Sequence, residues 1–352
     1  MTIGSRNRWS VNFGSVGVFV LAAVAVITVA AGRLGAQGAG RGAAPAAPPA
    51  PENVLAGVID LHAHHDPDER ARNIDAIDLA LYARLRGMRG IVLKSHGQET
   101  SGVAWLTAKM VPGIDVVAVT TLDLTHGGLN KDAIEQFATV VQKPNNPSTR
   151  IGVVMFPTDS ACYQAGGKFK TTDCVVVSKN GQLVPEAVEV LGLVKKYGLI
   201  LSAGHISPDE HILLFREAKK QGITQMMATH VNLDPPGLDL PHMQEAASLG
   251  AYMGFASKTQ RPNGVESGLN GLPNGSNTEV RNKWSADMMR KLGPEHVIME
   301  SDLGAIRNEL APDGLADFIL NMRKAGFTKA ETDMMTKTNP AKFLGLPLKA
   351  SN

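Results

Sequence analysis

Ten histidines lie in this 352-residue chain, and several of them stand where short apolar runs end. His62 and His64 close 58-VIDLHAH-64, and Lys94 and His96 close 90-GIVLKSH-96. His205 ends 198-GLILSAGHI-206, His230 ends 223-ITQMMATHV-231, and Asp302 lies near the end of 296-HVIMESDLG-304. On a strand, residues i and i+2 point the same way, so His62 pairs with His64 and Lys94 with His96. Imidazole nitrogens with one carboxylate suit zinc or a similar divalent ion that keeps positions open for water. Such an ion draws the pKa of water towards neutrality, and Asp302 is the natural acceptor of the released proton, passing it to a leaving group. Singly, each piece is ordinary: H-x-H, His205 or His230 can be structural, and Asp302 can cap a helix. Their combination at successive run ends predicts a metal site.

The elements that must carry these residues are legible. Three further apolar runs, 115-DVVAVTTLDL-124, 150-RIGVVMFPT-158 and 251-AYMGFAS-257, bring the number to eight. All are continuous rather than alternating, as parallel strands covered on both faces should be. Amphipathic stretches such as 74-IDAIDLALYARLRG-87 and 186-EAVEVLGLVKKYG-198 lie between them, ended by Gly87 and Gly198 as C-caps. In 207-SPDE-210, Ser207 caps a helix, Pro208 fits its first turn and Glu210 completes a capping box. Eight βα units predict an α/β fold of the (β/α)8 TIM-barrel type, whose site forms at the C-terminal strand ends. A doubly wound open sheet is the alternative, but no Gly-rich phosphate loop follows the first run.

The barrel is expected over 54–352. Before it, Arg6 and Arg8 precede 16-VGVFVLAAVAVITVAA-31 and a small-residue site at Ala36, the pattern of an export signal over 1–36. Residues 37–53 are Ala, Gly and Pro with little to bury and read as a disordered linker. The expected location is periplasmic or secreted; the alternative is an inner-membrane anchor, so a membrane is a partner only if the segment stays uncleaved. Cleavage removes three arginines and no acid, taking the net charge from +2 to about −1. That balance gives no reason to expect nucleic acid as a partner. The sequence sets no oligomeric state, and a homo-oligomer is compatible with it. Cys162 and Cys174 stand close together in a polar stretch and form a reasonable disulfide in an exported protein, with two free thiols as the alternative.

H-x-H on strand one, His on strands five and six and Asp on strand eight resemble the amidohydrolase superfamily of metal-dependent hydrolases. The segments 62-HAHHDPD-68, 87-GMRGIVLKSH-96, 127-GGLN-130, 203-AGHISPDE-210, 301-SDLG-304 and 339-NPAKFLGL-346 resemble one poorly characterised clade within it. The resemblance implies that His62, His64 and Asp302 hold one metal, His205 and His230 a second, and that Asp302 is the general acid/base. It implies one or two divalent ions, zinc first. Where many members bridge two metals with a carbamylated Lys or Glu on strand four, 150-RIGVVMFPTDS-160 offers neither at its end. A carbamylated Lys94 on strand two is the candidate replacement; a charged Lys94 binding substrate, or a mononuclear site, are the alternatives.

The remaining candidates are less specific. His96 is expected as a catalytic or substrate-binding donor, with an extra metal ligand as the alternative. Thr158 is a candidate hydrogen-bond donor to substrate and Asn130, after strand three, a candidate substrate contact. His65, Asp66 and Arg70 read as a solvated loop, with pocket lining as the alternative. The loop 257–280, rich in Gly and Asn, reads as a lid or a mobile insertion. His211, His242 and His296 fall away from the strand ends and carry no expected chemistry. The predicted activity on a small molecule is hydrolysis of an amide, cyclic amide or lactone. Phosphoester or phosphotriester hydrolysis is the alternative, and a non-catalytic metal-binding barrel the remaining one.

Overall fold

The chain is described by a computed structural model over residues 52–165, 173–257 and 278–348. The export segment, nearly all of the linker and most of the loop 257–280 lie outside the described residues. Among the described residues, no helix is long and apolar enough to cross a membrane.

Eight parallel strands follow one another in chain order: Ile59–His64, Gly90–Lys94, Asp115–Thr121, Gly152–Met155, Ile200–Ala203, Met226–Ala228, Tyr252–Ala256 and Val297–Glu300. A helix follows each, from Ala76–Leu85 after strand one to Ala311–Lys324 after strand eight. The end of strand eight returns to strand one, where His64 N–H donates to Leu303 O at 2.9 Å and Asp302 N–H to His62 O at 2.8 Å. These bonds close the sheet, so the fold is a (β/α)8 barrel and not the open doubly wound alternative.

The continuous apolar character of the runs reflects two cores. Val92, Val117, Val119 and Ile298 fill the barrel, and Phe343 and Leu344 from the C-terminal segment pack against the same interior cluster. Ile91, Leu93, Val116 and Ala118, one residue out of phase, face the helices instead. The expected caps form: Ser207 and Glu210 make a capping box, and Gly87 and Gly198 adopt positive φ. One insertion was not legible. After strand four the chain forms a short helix, Cys162–Ala165, and a hairpin, Ser178–Lys179 with Gln182–Leu183, before the next long helix. Cys162 and Cys174 are joined there in a disulfide.

Candidate metal centre

Strand one does not run evenly. Ile59 and Asp60 pair with Gly90 and Ile91, but Ala63 and His64 pair with Leu93 and Lys94. Strand one thus uses one more residue than strand two, which is a β-bulge. Ile59 and Leu61 point into the barrel; past the bulge Ala63 joins the outer core, and His62 and His64 turn inward. Asp60 holds the bulge, its Oδ1 accepting from His62 N at 3.1 Å and Ser301 N at 2.9 Å. Strand two keeps its phase, so Lys94 follows Val92 into the interior, where it is completely buried.

The inward residues meet at the C-terminal ends. His64 Nε2 lies 3.2 Å and His62 Nε2 3.5 Å from Asp302 Oδ1. The three residues offer ligand atoms that all lie within 4.8 Å of one another, and all three are buried. His205 Nε2 and His230 Nε2 face each other at 3.0 Å. The two groups adjoin, the rings of His62 and His230 being 5.4 Å apart, and the ring of His96 stacks on His64 at 4.9 Å. His230 and Asp302 both have positive φ, an uncommon backbone state for residues with a Cβ that here marks the site. Beside His205, Gly204 leaves room for the carbonyls of Phe156 and Pro157, which occupy the place of a Cβ. His205 N–H donates to Pro157 O at 2.8 Å across that approach.

A second layer of polar groups backs the imidazoles. His62 Nδ1 is 3.0 Å from Thr229 Oγ1, which donates to Glu300 Oε1 at 2.8 Å. His96 Nδ1 is 2.7 Å from Thr158 Oγ1, itself bonded to Asp123 Oδ2 at 2.5 Å. His205 Nδ1 meets Gln164 Oε1, and Gln164 Nε2 donates to Asp159 Oδ1 at 3.3 Å. Lys94 Nζ donates to Ser95 O at 3.0 Å and lies 3.1 Å from His96 Nδ1.

Burial dominates the electrostatics. It holds His64, His96 and His205 well below the ordinary imidazole range, keeping them neutral and able to bind a cation. It also brings the Lys94 amine down to about 8, against the opposing pull of Asp123, Asp159, Asp302 and Asp68. Burial raises Glu300 to about 8 and Asp60 to about 6, even though both accept hydrogen bonds.

The candidates from the sequence separate clearly. His62, His64, Lys94, His96, Thr158, His205, His230 and Asp302 come together. Arg70 lies at the rim, paired with Asp159 and Glu69. Asn130 is exposed and spends its side-chain oxygen on capping helix Lys131–Val141. His65 departs from the solvated-loop reading, being completely buried with Nδ1 against Asp66 O at 3.1 Å. Five supporting residues were not foreseen: Asp60, Asp123, Gln164, Thr229 and Glu300. Three of them carried a signal, since 58-VID-60, 122-LD-123 and 298-IME-300 each set an acid inside or at the end of an apolar run. Thr229 and Gln164 carried none.

The donor set fits a divalent cation. Asp302 is placed between two imidazoles, and His64 Nδ1 is buried without a hydrogen-bond partner. The facing nitrogens of His205 and His230 lie close to the roughly 3.3 Å that two imidazoles on one tetrahedral zinc, with bonds of about 2.0–2.1 Å, would show. A family model described as a family of unknown function, DUF6282, matches residues 57–254. No curated protein matches the chain. Among solved structures, the fold is shared with a protein described under molecular engineering of organophosphate hydrolysis activity from a weak promiscuous lactonase template. That pair has a TM-score of 0.52 and 12% identity, covering 83% of this chain and 97% of the other. An organophosphorus hydrolase from Deinococcus radiodurans gives 0.51 and 13%, covering 83% and 94%. A putative 2-pyrone-4,6-dicarboxylic acid hydrolase from Pseudomonas putida gives 0.50 and 13%, covering 83% and 99%. At this identity the likeness is one of fold.

Proposed function

We propose that this chain, which belongs to the DUF6282 family of unknown function, is a metal-dependent hydrolase that opens a lactone, cyclic amide or amide bond. The observation that carries the reading is the convergence of His62, His64 and Asp302, buried at the C-terminal end of a barrel and flanked by the His205–His230 pair. His62, His64 and Asp302 would hold one divalent ion, zinc first, and His205 and His230 a second. When bound, such an ion polarises the scissile carbonyl and brings the pKa of water towards neutrality. The Asp302 carboxylate takes the proton of the attacking water and returns it to the leaving oxygen or nitrogen. The neutral imidazoles and the buried setting keep bulk water out and sharpen these interactions. Lys94, a buried amine lowered to about 8, is the side chain that would carry a bridging carbamate in this reading.

A lactone stands first because two of the proteins sharing the fold are described by a lactonase and by a pyrone acid hydrolase. Phosphotriester hydrolysis is the second reading, favoured by the organophosphorus hydrolase fold. Against it, the Arg70 charge is paired with Asp159 and Glu69 rather than left for an anionic oxygen. The N-terminal apolar run and the Cys162–Cys174 disulfide support work outside the cytoplasm.

Purified protein loaded with zinc should hydrolyse a lactone series in preference to phosphotriesters. Asp302→Asn should lower the rate by about 10²–10⁴-fold, and His62→Ala should lower both metal content and rate. Retention of full hydrolysis by either variant refutes the mechanism. Two zinc ions in the wild type against one in Lys94→Ala is the result expected for a bridging lysine; equal metal content removes the bridge.

A further inference from the structure

We propose that His96 is a metal ligand through Nε2, and that Thr158 and Asp123 are the positioning residues that make it one. The proposal rests on the metal-dependent reading of the site and changes the role of His96 within it from the expected substrate donor.

The proton positions follow from the acceptors. Asp123 Oδ1 accepts from Thr158 N at 2.9 Å and Ser160 N at 2.8 Å. With Oδ1 taken up by two backbone amides, Oδ2 is the oxygen that meets Thr158. The single hydroxyl proton of Thr158 therefore goes to Asp123 Oδ2, 2.5 Å away. That leaves Thr158 Oγ1 as the acceptor for His96 Nδ1 at 2.7 Å, and Nδ1 must carry the proton. A neutral imidazole has one N–H, so Nε2 is left with a bare lone pair. Nε2 thus cannot donate to a substrate, but it can bind a cation, and the ring stands between His64 at 4.9 Å and His205 at 6.0 Å. Lys94 Nζ, farther from the same Nδ1 at 3.1 Å, donates to Ser95 O and is compatible with the Nδ1–H form as a neutral amine, whose lone pair accepts.

The same construction recurs at two residues already placed as ligands. Glu300 takes the proton of Thr229, whose oxygen then accepts from His62 Nδ1. Asp159 fixes the amide nitrogen of Gln164, turning its oxygen to His205 Nδ1. Three acidic side chains, each accepting through one neutral side chain, set three imidazoles as the Nδ1–H tautomer. A carboxylate orienting a histidine through its second nitrogen is the usual support of a metal ligand, and its loss typically weakens binding about 10–100-fold.

The test is imidazole ¹⁵N NMR on histidine-labelled full-length protein, metal-free and with added zinc, with His96 assigned from His96→Asn. The expected result is a single Nδ1–H tautomer for His96 without metal, and a zinc-induced shift of its Nε2 together with those of His62 and His205. Thr158→Val should give mixed His96 tautomers and weaken zinc binding about 10–100-fold in a chelator competition, with Thr158→Ser restoring both. An Nε2–H tautomer, or a His96 that does not shift while His62 and His205 do, overturns the proposal and leaves the metal site standing. If no histidine responds to zinc, the metal-dependent reading itself falls.

Discussion

Glu300 offers the sharpest quantitative test of how the barrel interior supports the site. It is completely buried; Oε1 accepts from Thr229 Oγ1 at 2.8 Å and His230 N at 2.7 Å, while Oε2 has no partner. Burial raises the carboxyl from 4.5 to about 8, with the charges of Asp302 and Asp60 adding to it. That difference corresponds to on the order of 5 kcal/mol, an upper bound for a buried group. The sign follows from proton binding. Below pH 4.5 the folded and unfolded chains both keep the proton, and between there and about 8 only the folded chain does. The stabilisation is therefore complete at low pH and is lost as pH rises through the folded value. Glu300→Gln keeps the Oε1 acceptor and both hydrogen bonds but does not titrate. Asp60 titrates in both proteins, so the difference isolates Glu300 together with its coupling to Asp60 and Asp302. Urea unfolding of the metal-free proteins should show the wild-type advantage over Glu300→Gln falling by about 1.4 kcal/mol per pH unit across this window. A difference that stays flat from about pH 5 to about pH 8 refutes a buried, proton-holding Glu300.

Two other perturbations reach the same supporting layer. Gly254→Ala puts a Cβ 2.6 Å from Glu300 Oε1 and 3.2 Å from Ala228 O, and should destabilise the protein by about 1–3 kcal/mol and weaken zinc binding; an unchanged melting curve means that Glu300 can move aside. Reducing the disulfide between Cys162 and Cys174, 12 residues apart, should cost up to about 3 kcal/mol. Because Gln164 sits two residues past Cys162, zinc binding should weaken as well, and equal zinc affinity in reduced and oxidised protein would show that Gln164 is held without the disulfide.

The barrel and the inner ring of the site were legible because both depend on local pattern. Continuous apolar runs mark strands covered on two faces, and a polar residue ending such a run must sit at the strand mouth. That places His62, His64, Lys94, His96, His205, His230 and Asp302 at the strand mouths from pattern alone. Partnership was not legible, because it depends on which strands become neighbours. Thr158 was expected to donate to substrate, yet its hydroxyl is taken by Asp123 from strand three's end, 35 residues away. Asn130 was expected near substrate, yet Asx chemistry at a helix start claims it first. His65 looked solvated because Asp66, Pro67 and Asp68 follow it, but the chain folds back over it and buries the ring.

The H-x-H motif shows how such a hidden partner can decide which way a motif faces. Spacing puts His62 and His64 on one face of strand one, but spacing alone does not say which face. Ile59 and Leu61 already point into the barrel, so an unbroken strand would turn both histidines outward against the helices. The extra residue before Ala63 reverses the phase, and a bulge leaves backbone groups that need partners. Asp60 meets that need from inside the same run, accepting from His62 N and, across the barrel seam, from Ser301 N. Ser301 immediately precedes Asp302, so one buried carboxylate ties together the two chain segments that carry His62, His64 and Asp302. The acid two residues ahead of the first histidine is therefore part of what turns the two imidazoles into the barrel mouth beside Asp302.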